Sequence, residues 1–496
     1  MYVISTRDAA HKVFATQAVL KGISPDGGLY VPEYFPRLDM QEMLRAAEEG
    51  YETLSAKVLG MFLDIEEEDL LEITRKAYNG FDTREIVPLS AVGKGEYVME
   101  LYHGPTLAFK DMALQVLPRL ISSALELHNQ QEDVLVLTAT SGDTGKAALE
   151  GFRDVPRTAI QVFYPEDGVA DMQRLQMVTQ EGGNTDVCAV KGNFDDAQTG
   201  VKALFADTDF AKEVEKDGYM LSSANSINFG RLIPQVAYYV YAYAKLVNNG
   251  AIFNGDKVNF CVPTGNFGNI LAAYYAKRMG IPVNKLICAS NKNNVLTDFF
   301  NKGVYDANRK FHKTMSPSMD ILISSNLERL LLEMTDRDDS RVCVWMESLK
   351  GKGTYSLPEE AREHIENTFY ADYCTEKETA QTIRDTFAEY NYLMDTHSAV
   401  GQCVYRKYLE RTGDETVTVV VSTANPYKFT QDVLQAVTGE NEQDAFAAAE
   451  KLQKATKVPI PPQISELKEK TILHSGTVAQ GDQISATREF LKRLAK

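Results

Sequence analysis

A chain of 496 residues can form two or three domains whose cores need no disulfide support. Its hydrophobic content of 44% and charged content of 24% are ordinary for a globular protein and exclude a disordered or membrane-spanning class. The net charge of −17 argues against nucleic acid and anionic membrane partners, which both reward basic patches.

Residues 1–28 scatter charges among their apolar positions and hold no continuous apolar stretch of the secretory kind, so the cytoplasm is the expected compartment. Helical patterns at 40–63 and 66–78 predict a mainly helical N-terminal subdomain over 1–95. A Gly-Pro turn then opens the segment His103-Gly104-Pro105-Thr106-Leu107-Ala108-Phe109-Lys110-Asp111. A lysine delivered by this short apolar run would lose hydration, which favours the neutral, nucleophilic amine. The alternative is a surface lysine with an apolar stem.

From about residue 132, β-branched runs alternate with helical patterns, the signature of an α/β fold with largely parallel sheets. The expected strands are 133–140, 159–164, 186–190, 257–262, 285–289 and 415–421. A small α/β domain over 96–245 and a large one over 246–496 follow. Thr-x-x-Glu at 375–378 has the form of a capping box and predicts a helix start ahead of a long segment to about 411. The proline-rich stretch 458–462 must be extended and leads into a C-terminal tail.

Four turns carry candidate chemistry. Thr138-Ala139-Thr140-Ser141-Gly142-Asp143-Thr144-Gly145-Lys146 joins a strand to a helix, where backbone N–H groups and hydroxyls favour an anion. It is not a P-loop, because Thr140 and Ala147 occupy the first-glycine and final Ser/Thr positions. A phosphate or carboxylate site and a tight structural turn both remain open. Pro263-Thr264-Gly265-Asn266-Phe267-Gly268-Asn269 is a second such turn, either a ligand cradle or a plain connection with a helix cap. In the third, Asn225 and Ser226 precede Arg231, which suits paired hydrogen bonding to an oxyanion or a surface ion pair. The fourth, Ser422-Thr423-Ala424-Asn425-Pro426, ends a strand in a hydroxyl pair that also fits simple turn chemistry. Six cysteines lie far apart without CxxC or zinc spacing, so they read as reduced core thiols and no metal site is expected.

The combination of these segments resembles the threonine synthase family, pyridoxal 5′-phosphate enzymes of the fold-type II, tryptophan-synthase-like group. The resemblance rests on His103 to Asp111, Ser141 to Gly145, Gly265 to Asn269 and Ser422 to Pro426. Gly22-Ile23-Ser24-Pro25-Asp26-Gly27-Gly28-Leu29-Tyr30-Val31-Pro32 is similar to the family's opening, and together these segments span most of the chain.

The resemblance implies two parallel-sheet α/β domains with the cofactor between them. Lys110 would be the Schiff-base lysine, Gly265, Asn266, Phe267, Gly268 and Asn269 would bind the cofactor phosphate, and Thr423 would meet the pyridine nitrogen. Ser141, Thr144, Asn225, Ser226 and Arg231 would bind substrate. Asp143 would join the cofactor contacts, standing where many fold-type II relatives have an asparagine facing the cofactor 3′-oxygen; an aspartate there resembles the longer-chain threonine synthases. His397, in a further family-like segment from Asp395 to Gly401, is read as structural.

The implied reaction converts O-phospho-L-homoserine and water to L-threonine and phosphate, with Lys110 moving protons at Cα and Cβ. The competing readings are a phospho-lyase that releases 2-oxobutyrate and a non-catalytic phosphate-ligand sensor. Monomer and homodimer are both compatible with the sequence.

Overall fold

Two β-sheets organise the computed structural model, which describes residues 1–495 apart from Ser141, Asp167, Gly168 and Ala170. The larger sheet has the strand order Phe369–Tyr373, Val283–Ser290, Val258–Pro263, Thr418–Ser422, Glu96–Glu100, Leu89–Gly93. Every pairing in it is parallel except the last. The smaller sheet runs Gly476–Val478, Thr185–Val190, Thr158–Pro165, Asp133–Ala139, Tyr219–Ser222, and is parallel throughout.

All six strands expected from the sequence are present, with their ends moved by at most three residues. Strand pairing crosses the expected domain divisions at both ends of the chain. Glu100 pairs with Ser422 in the large sheet, whereas Gly476 returns from the C-terminal tail to pair with Cys188 in the small one.

Alternation along Val258–Pro263 shows how the large sheet is covered on both faces. Phe260 meets Tyr239 of helix Pro234–Asn248 edge to face, with ring centroids 4.9 Å apart. The next residue, Cys261, points the other way, and its thiol donates to Gly401 O of helix Thr396–Thr412 at 3.1 Å.

The N-terminal region is mainly helical, as expected, with helices Ala15–Lys21, Met40–Glu49, Tyr51–Gly60 and Glu67–Tyr78. It also carries an antiparallel sheet of Tyr2–Ser5, Lys12–Phe14 and Tyr30–Pro32, strands too short for a periodicity signal. The continuous helical pattern over 40–63 is broken in two at Gly50, whose φ of 139° is closed to residues with a Cβ. Thr375 and Glu378 form the expected capping box, but the helix they start ends at Asn391, where φ is 52°. A second helix begins at Thr396, capped by Asp395.

Candidate active site

The carboxyl ends of the parallel strands are where open α/β sheets place their ligands. Lys110 is fixed there by backbone contacts with the chain that leaves Thr418–Ser422. Phe109 N–H donates to Thr423 O at 2.8 Å, Asn425 N–H donates to Leu107 O at 3.0 Å, and Ala108 bridges Ala424. Leu107 takes a left-handed φ of 61° in this turn. Asp111 locks the loop from below, accepting Thr106 N–H at 2.8 Å and Thr106 Oγ1–H at 2.7 Å. Burial pushes the Asp111 carboxyl up to about 6 despite those bonds.

Lys110 Nζ lies 3.4 Å from Ser318 Oγ and 3.8 Å from Asp143 Oδ2. Burial lowers its pKa from the usual lysine value; Asp143 opposes this, and Arg231 and Lys428 add to it. A partly desolvated amine among other cations is the environment a nucleophilic lysine requires.

Asp143, the first residue of helix Asp143–Phe152, is surrounded by donors. Lys428 Nζ stands 3.1 Å from its Oδ1, Gln173 Nε2 donates to the same oxygen at 3.2 Å, and Ser318 Oγ donates to Oδ2 at 3.3 Å. Burial alone would raise this carboxyl, but Lys428 and Lys110 hold it well below the usual carboxylate range. Lys428 is itself buried, with a side-chain exposure of 1%, and its ammonium also donates to Thr106 O at 2.8 Å.

Ser318 is oriented from behind by His397. The Ser318 N–H donates to His397 Nε2 at 3.1 Å, and His397 Nδ1 meets Asp395 Oδ2 at 2.8 Å. Nε2 therefore acts as an acceptor, which fixes the neutral ring with its proton on Nδ1. The sequence reading of His397 as structural gains a location, since it supports the serine that faces Lys110.

The turn from Gly265 to Asn269 enters helix Gly268–Met279, whose first N–H groups have no intrahelical partner. At Gly265 an added Cβ would lie 2.9 Å from Ser318 O, so the backbone there approaches its neighbour closely. Phe267 has φ 64°, and its ring stacks on Phe300 with centroids 5.8 Å apart, leaving only its backbone on the turn side. Asn269 Oδ1 accepts from Tyr238 and Tyr239 hydroxyls at 2.5 and 2.6 Å, while its buried Nδ2 has no partner.

Arg231 is 4% exposed. One nitrogen donates to Ala224 O at 3.0 Å, Nε is buried without a hydrogen-bond partner, and among the described residues no carboxylate pairs with it. Burial lowers its pKa to about 10. This is not the surface ion pair that the sequence left open. Asn225 Oδ1 accepts Thr138 Oγ1–H at 3.0 Å, tying Arg231's loop to the strand before Asp143, and Ser226 and Thr144 are half-buried.

Thr140 Oγ1 accepts the N–H groups of Gly142 and Gly145, both at 3.1 Å, so this turn is braced internally. The expected Ser141 contact lies outside the described residues. Thr423 is 6% exposed, its N–H bonds Ser398 Oγ at 3.1 Å, and its hydroxyl has no partner among the described residues.

Lys428 and Ser318 were not singled out from the sequence. Lys428 follows the Ser-Thr-Ala-Asn-Pro segment within an apolar Tyr-Lys-Phe run, and that setting was a usable sign of burial. Ser318 lies in the short 3-10 turn Pro317–Met319, where nothing local in the sequence marks it.

The two-sheet fold, with a desolvated lysine facing Ser318 and Asp143 near the carboxyl ends of the strands, defines a fold-type II pyridoxal-phosphate-dependent enzyme, and a family model described as "Pyridoxal-phosphate dependent enzyme" matches residues 85–349. Models described as "Threonine synthase N terminus" and "Threonine synthase, C-terminal" match residues 2–78 and 398–473. Threonine synthase of Pseudomonas aeruginosa is 38% identical over 89% of this chain and 91% of its own. The crystal structure of PLP-bound threonine synthase from Brucella melitensis is 35% identical, with a TM-score of 0.89 over 100% of both chains. The yeast threonine synthase structure has the same TM-score at 30% identity, covering 100% of this chain and 99% of its own.

The chain belongs to the threonine synthase family. It is also 40% identical to human threonine synthase-like 1 over 88% of this chain, but spans only 60% of that longer protein.

Proposed function

We propose that the protein converts O-phospho-L-homoserine and water to L-threonine and phosphate. The observation that carries this reading is Arg231, a buried guanidinium with an unpartnered Nε whose charge reaches Lys110, on a chain of net charge −17. A buried cation without a protein anion suits a ligand that brings its own, and a phosphorylated amino acid does so.

The residues present fit pyridoxal phosphate. Lys110 would hold it covalently, the N–H groups from Gly265 to Asn269 would take its phosphate, and the free Thr423 hydroxyl would meet its ring nitrogen. Asp143 stands where many relatives carry an asparagine, and Lys428 compensates for the added negative charge at 3.1 Å. When bound, the cofactor supplies an electron sink for substrate carbons that have lost a proton.

The protein's own groups do the rest. Lys110, lowered in basicity by burial, accepts a proton from carbon and returns it at a neighbouring position. Ser318 Oγ lies between Lys110 Nζ and the Asp143 carboxylate, so it directs the amine while Asp143 favours its protonated form. Arg231, with Asn225, Ser226 and Thr144, orients the phosphate that leaves before water adds at Cβ. All six cysteines are free thiols, which agrees with the reducing cytoplasm as the compartment. No helix among the described residues is long and apolar enough to cross a membrane.

The deciding experiment supplies the cofactor-loaded protein with O-phosphohomoserine and quantifies phosphate, threonine and 2-oxobutyrate. Threonine equal to the phosphate released is the expected result. Mostly 2-oxobutyrate would make the protein a phospho-lyase, and no phosphate release at all would make it a binding protein.

A further inference from the structure

Away from the lysine, the sulfurs of Cys374 and Cys403 and a carboxylate oxygen of Glu378 lie within 4.8 Å of one another. Cys374 directly follows strand Phe369–Tyr373, and Cys403 sits inside helix Thr396–Thr412. A soft metal ion is one occupant such a group suggests, but Glu378 is already committed. Its Oε2 accepts the Thr375 N–H at 2.8 Å and the Thr375 hydroxyl at 2.7 Å, and its Oε1 pairs with Lys407 at 2.8 Å. A metal would have to displace the Thr375 capping box and sit against an ammonium. The two sulfurs are therefore left to each other.

Their surroundings make them unequal. Cys374 is fully buried, and its sulfur contacts Thr379 Oγ1 at 3.2 Å. Cys403 is 6% exposed and lies one helical turn before Lys407. The neighbouring Cys374 sulfur favours thiolate on Cys403, burial opposes it, and Lys407 adds to it. Cys261, in the same core cluster, is instead fully buried and engaged as a donor to Gly401 O.

We propose that Cys374 and Cys403 are a peroxide-oxidisable dithiol that closes to an intramolecular disulfide, with Cys403 as the sulfur oxidised first. In the first step the Cys403 sulfur attacks one oxygen of hydrogen peroxide. An S–O bond forms, the O–O bond breaks, and the departing hydroxide takes the thiol proton to become water. In the second, the Cys374 sulfur displaces hydroxide from the Cys403 sulfenic acid; an S–S bond forms, the Cys374 proton joins the hydroxide, and a second water leaves. Sulfur is oxidised by two electrons overall and one peroxide is reduced. The bond would tie the end of a large-sheet strand to the helix whose first turn carries His397.

The test oxidises the purified full chain with stoichiometric hydrogen peroxide, after metal analysis, and maps its peptides without reductant. The expected product is one linkage between the peptides holding Cys374 and Cys403, lighter by two hydrogens and reversed by dithiothreitol. Exposure alone predicts a different outcome: Cys343, the half-buried cysteine, would oxidise first, and that result overturns the proposal. A Cys261–Cys288 linkage, or zinc that protects both thiols in the purified protein, does so equally. In Cys374→Ser, dimedone is expected to label Cys403; in Cys403→Ser, labelling of Cys374 would reverse the order of attack. The wild-type map decides the site even if a variant fails to fold.

Discussion

At the centre of the site a buried ammonium and a buried carboxylate, Lys428 and Asp143, face each other at 3.1 Å. Removing one partner of such a pair leaves an uncompensated charge in a low-dielectric interior, whereas removing both does not. Lys428→Met is therefore expected to lower stability by about 3–5 kcal/mol. Lys428→Met with Asp143→Asn should cost clearly less than the sum of the single changes, as read from urea midpoints in a double-mutant cycle. Additive losses would mean that the two groups are not coupled. His103 presents a second, half-buried pairing, with Nδ1 on Asp82 and Nε2 on Glu100, each at 2.8 Å. Burial alone would lower the imidazole's pKa, but the two carboxylates raise it to about 9. Because the folded value exceeds the unfolded one of about 6.5, this stabilisation is complete below about pH 6.5 and is lost as pH rises through about 9. Compared with His103→Gln, the wild type should hold an advantage on the order of 2–3 kcal/mol at about pH 6 that shrinks across that interval. Urea unfolding of both proteins over the pH range checks this, and an advantage independent of pH would contradict it.

The central elements were legible in the sequence because both faces of each parallel strand are buried. Strands such as Val258–Pro263 and Asp133–Ala139 read as short continuous apolar runs ending in polar turns, and turn chemistry placed their ligand-facing ends. Edge and marginal strands were not legible. Leu89–Gly93 and Tyr219–Ser222 are only partly buried, and Gly476–Val478 has one half-buried residue and two exposed ones, so no apolar run marks them. Helix breaks were missed where apolar periodicity continued through the interruption, as at Gly50 and Asn391. In the site, Lys110, Arg231 and Thr423 belong to segments with recognisable local chemistry. Lys428, Ser318 and the support from His397 depend on contacts between distant parts of the chain, and Ser318 reaches His397 across 79 positions. Local pattern thus located the turns, while tertiary placement decided which polar groups stay free. Thr140 consumes two N–H groups of its own turn, whereas Arg231 keeps its Nε unpartnered.

At the scale of the whole molecule, the buried side chain of Arg329 is one of the links that join the N-terminal region, here called the cap, to the site. Arg329 donates from Nε to Tyr30 O at 2.8 Å, from one terminal nitrogen to Ile227 O at 2.6 Å, and from the other to Asn326 Oδ1. Tyr30 belongs to the N-terminal sheet, Ile227 lies in the loop before Arg231, and Asn326 holds Asn266 O of the Gly265–Asn269 turn through its backbone N–H at 3.1 Å and its side-chain amide at 3.0 Å. A planar fork meets three acceptors at once, which a lysine's single ammonium does not reproduce. Arg329→Met would leave three oxygens without this donor, each buried unsatisfied group costing about 1–3 kcal/mol before relaxation. The expected result is a lower urea midpoint together with cofactor affinity weakened by about tenfold, equivalent to about 1.4 kcal/mol. Arg329→Lys should recover only part of either loss. Arg7, whose bidentate pair with Glu328 fastens the same cap from a side chain 30% exposed, is the control. Arg7→Met should loosen the cap while leaving cofactor affinity nearly unchanged, because Arg7 pairs with Glu328 and not with Asn326, the residue that holds the Gly265–Asn269 turn. Cofactor titration followed by absorbance, beside unfolding curves for all three variants, separates the two roles. If Arg329→Met destabilises the fold without weakening the cofactor, then the fork only holds the cap and does not organise the site.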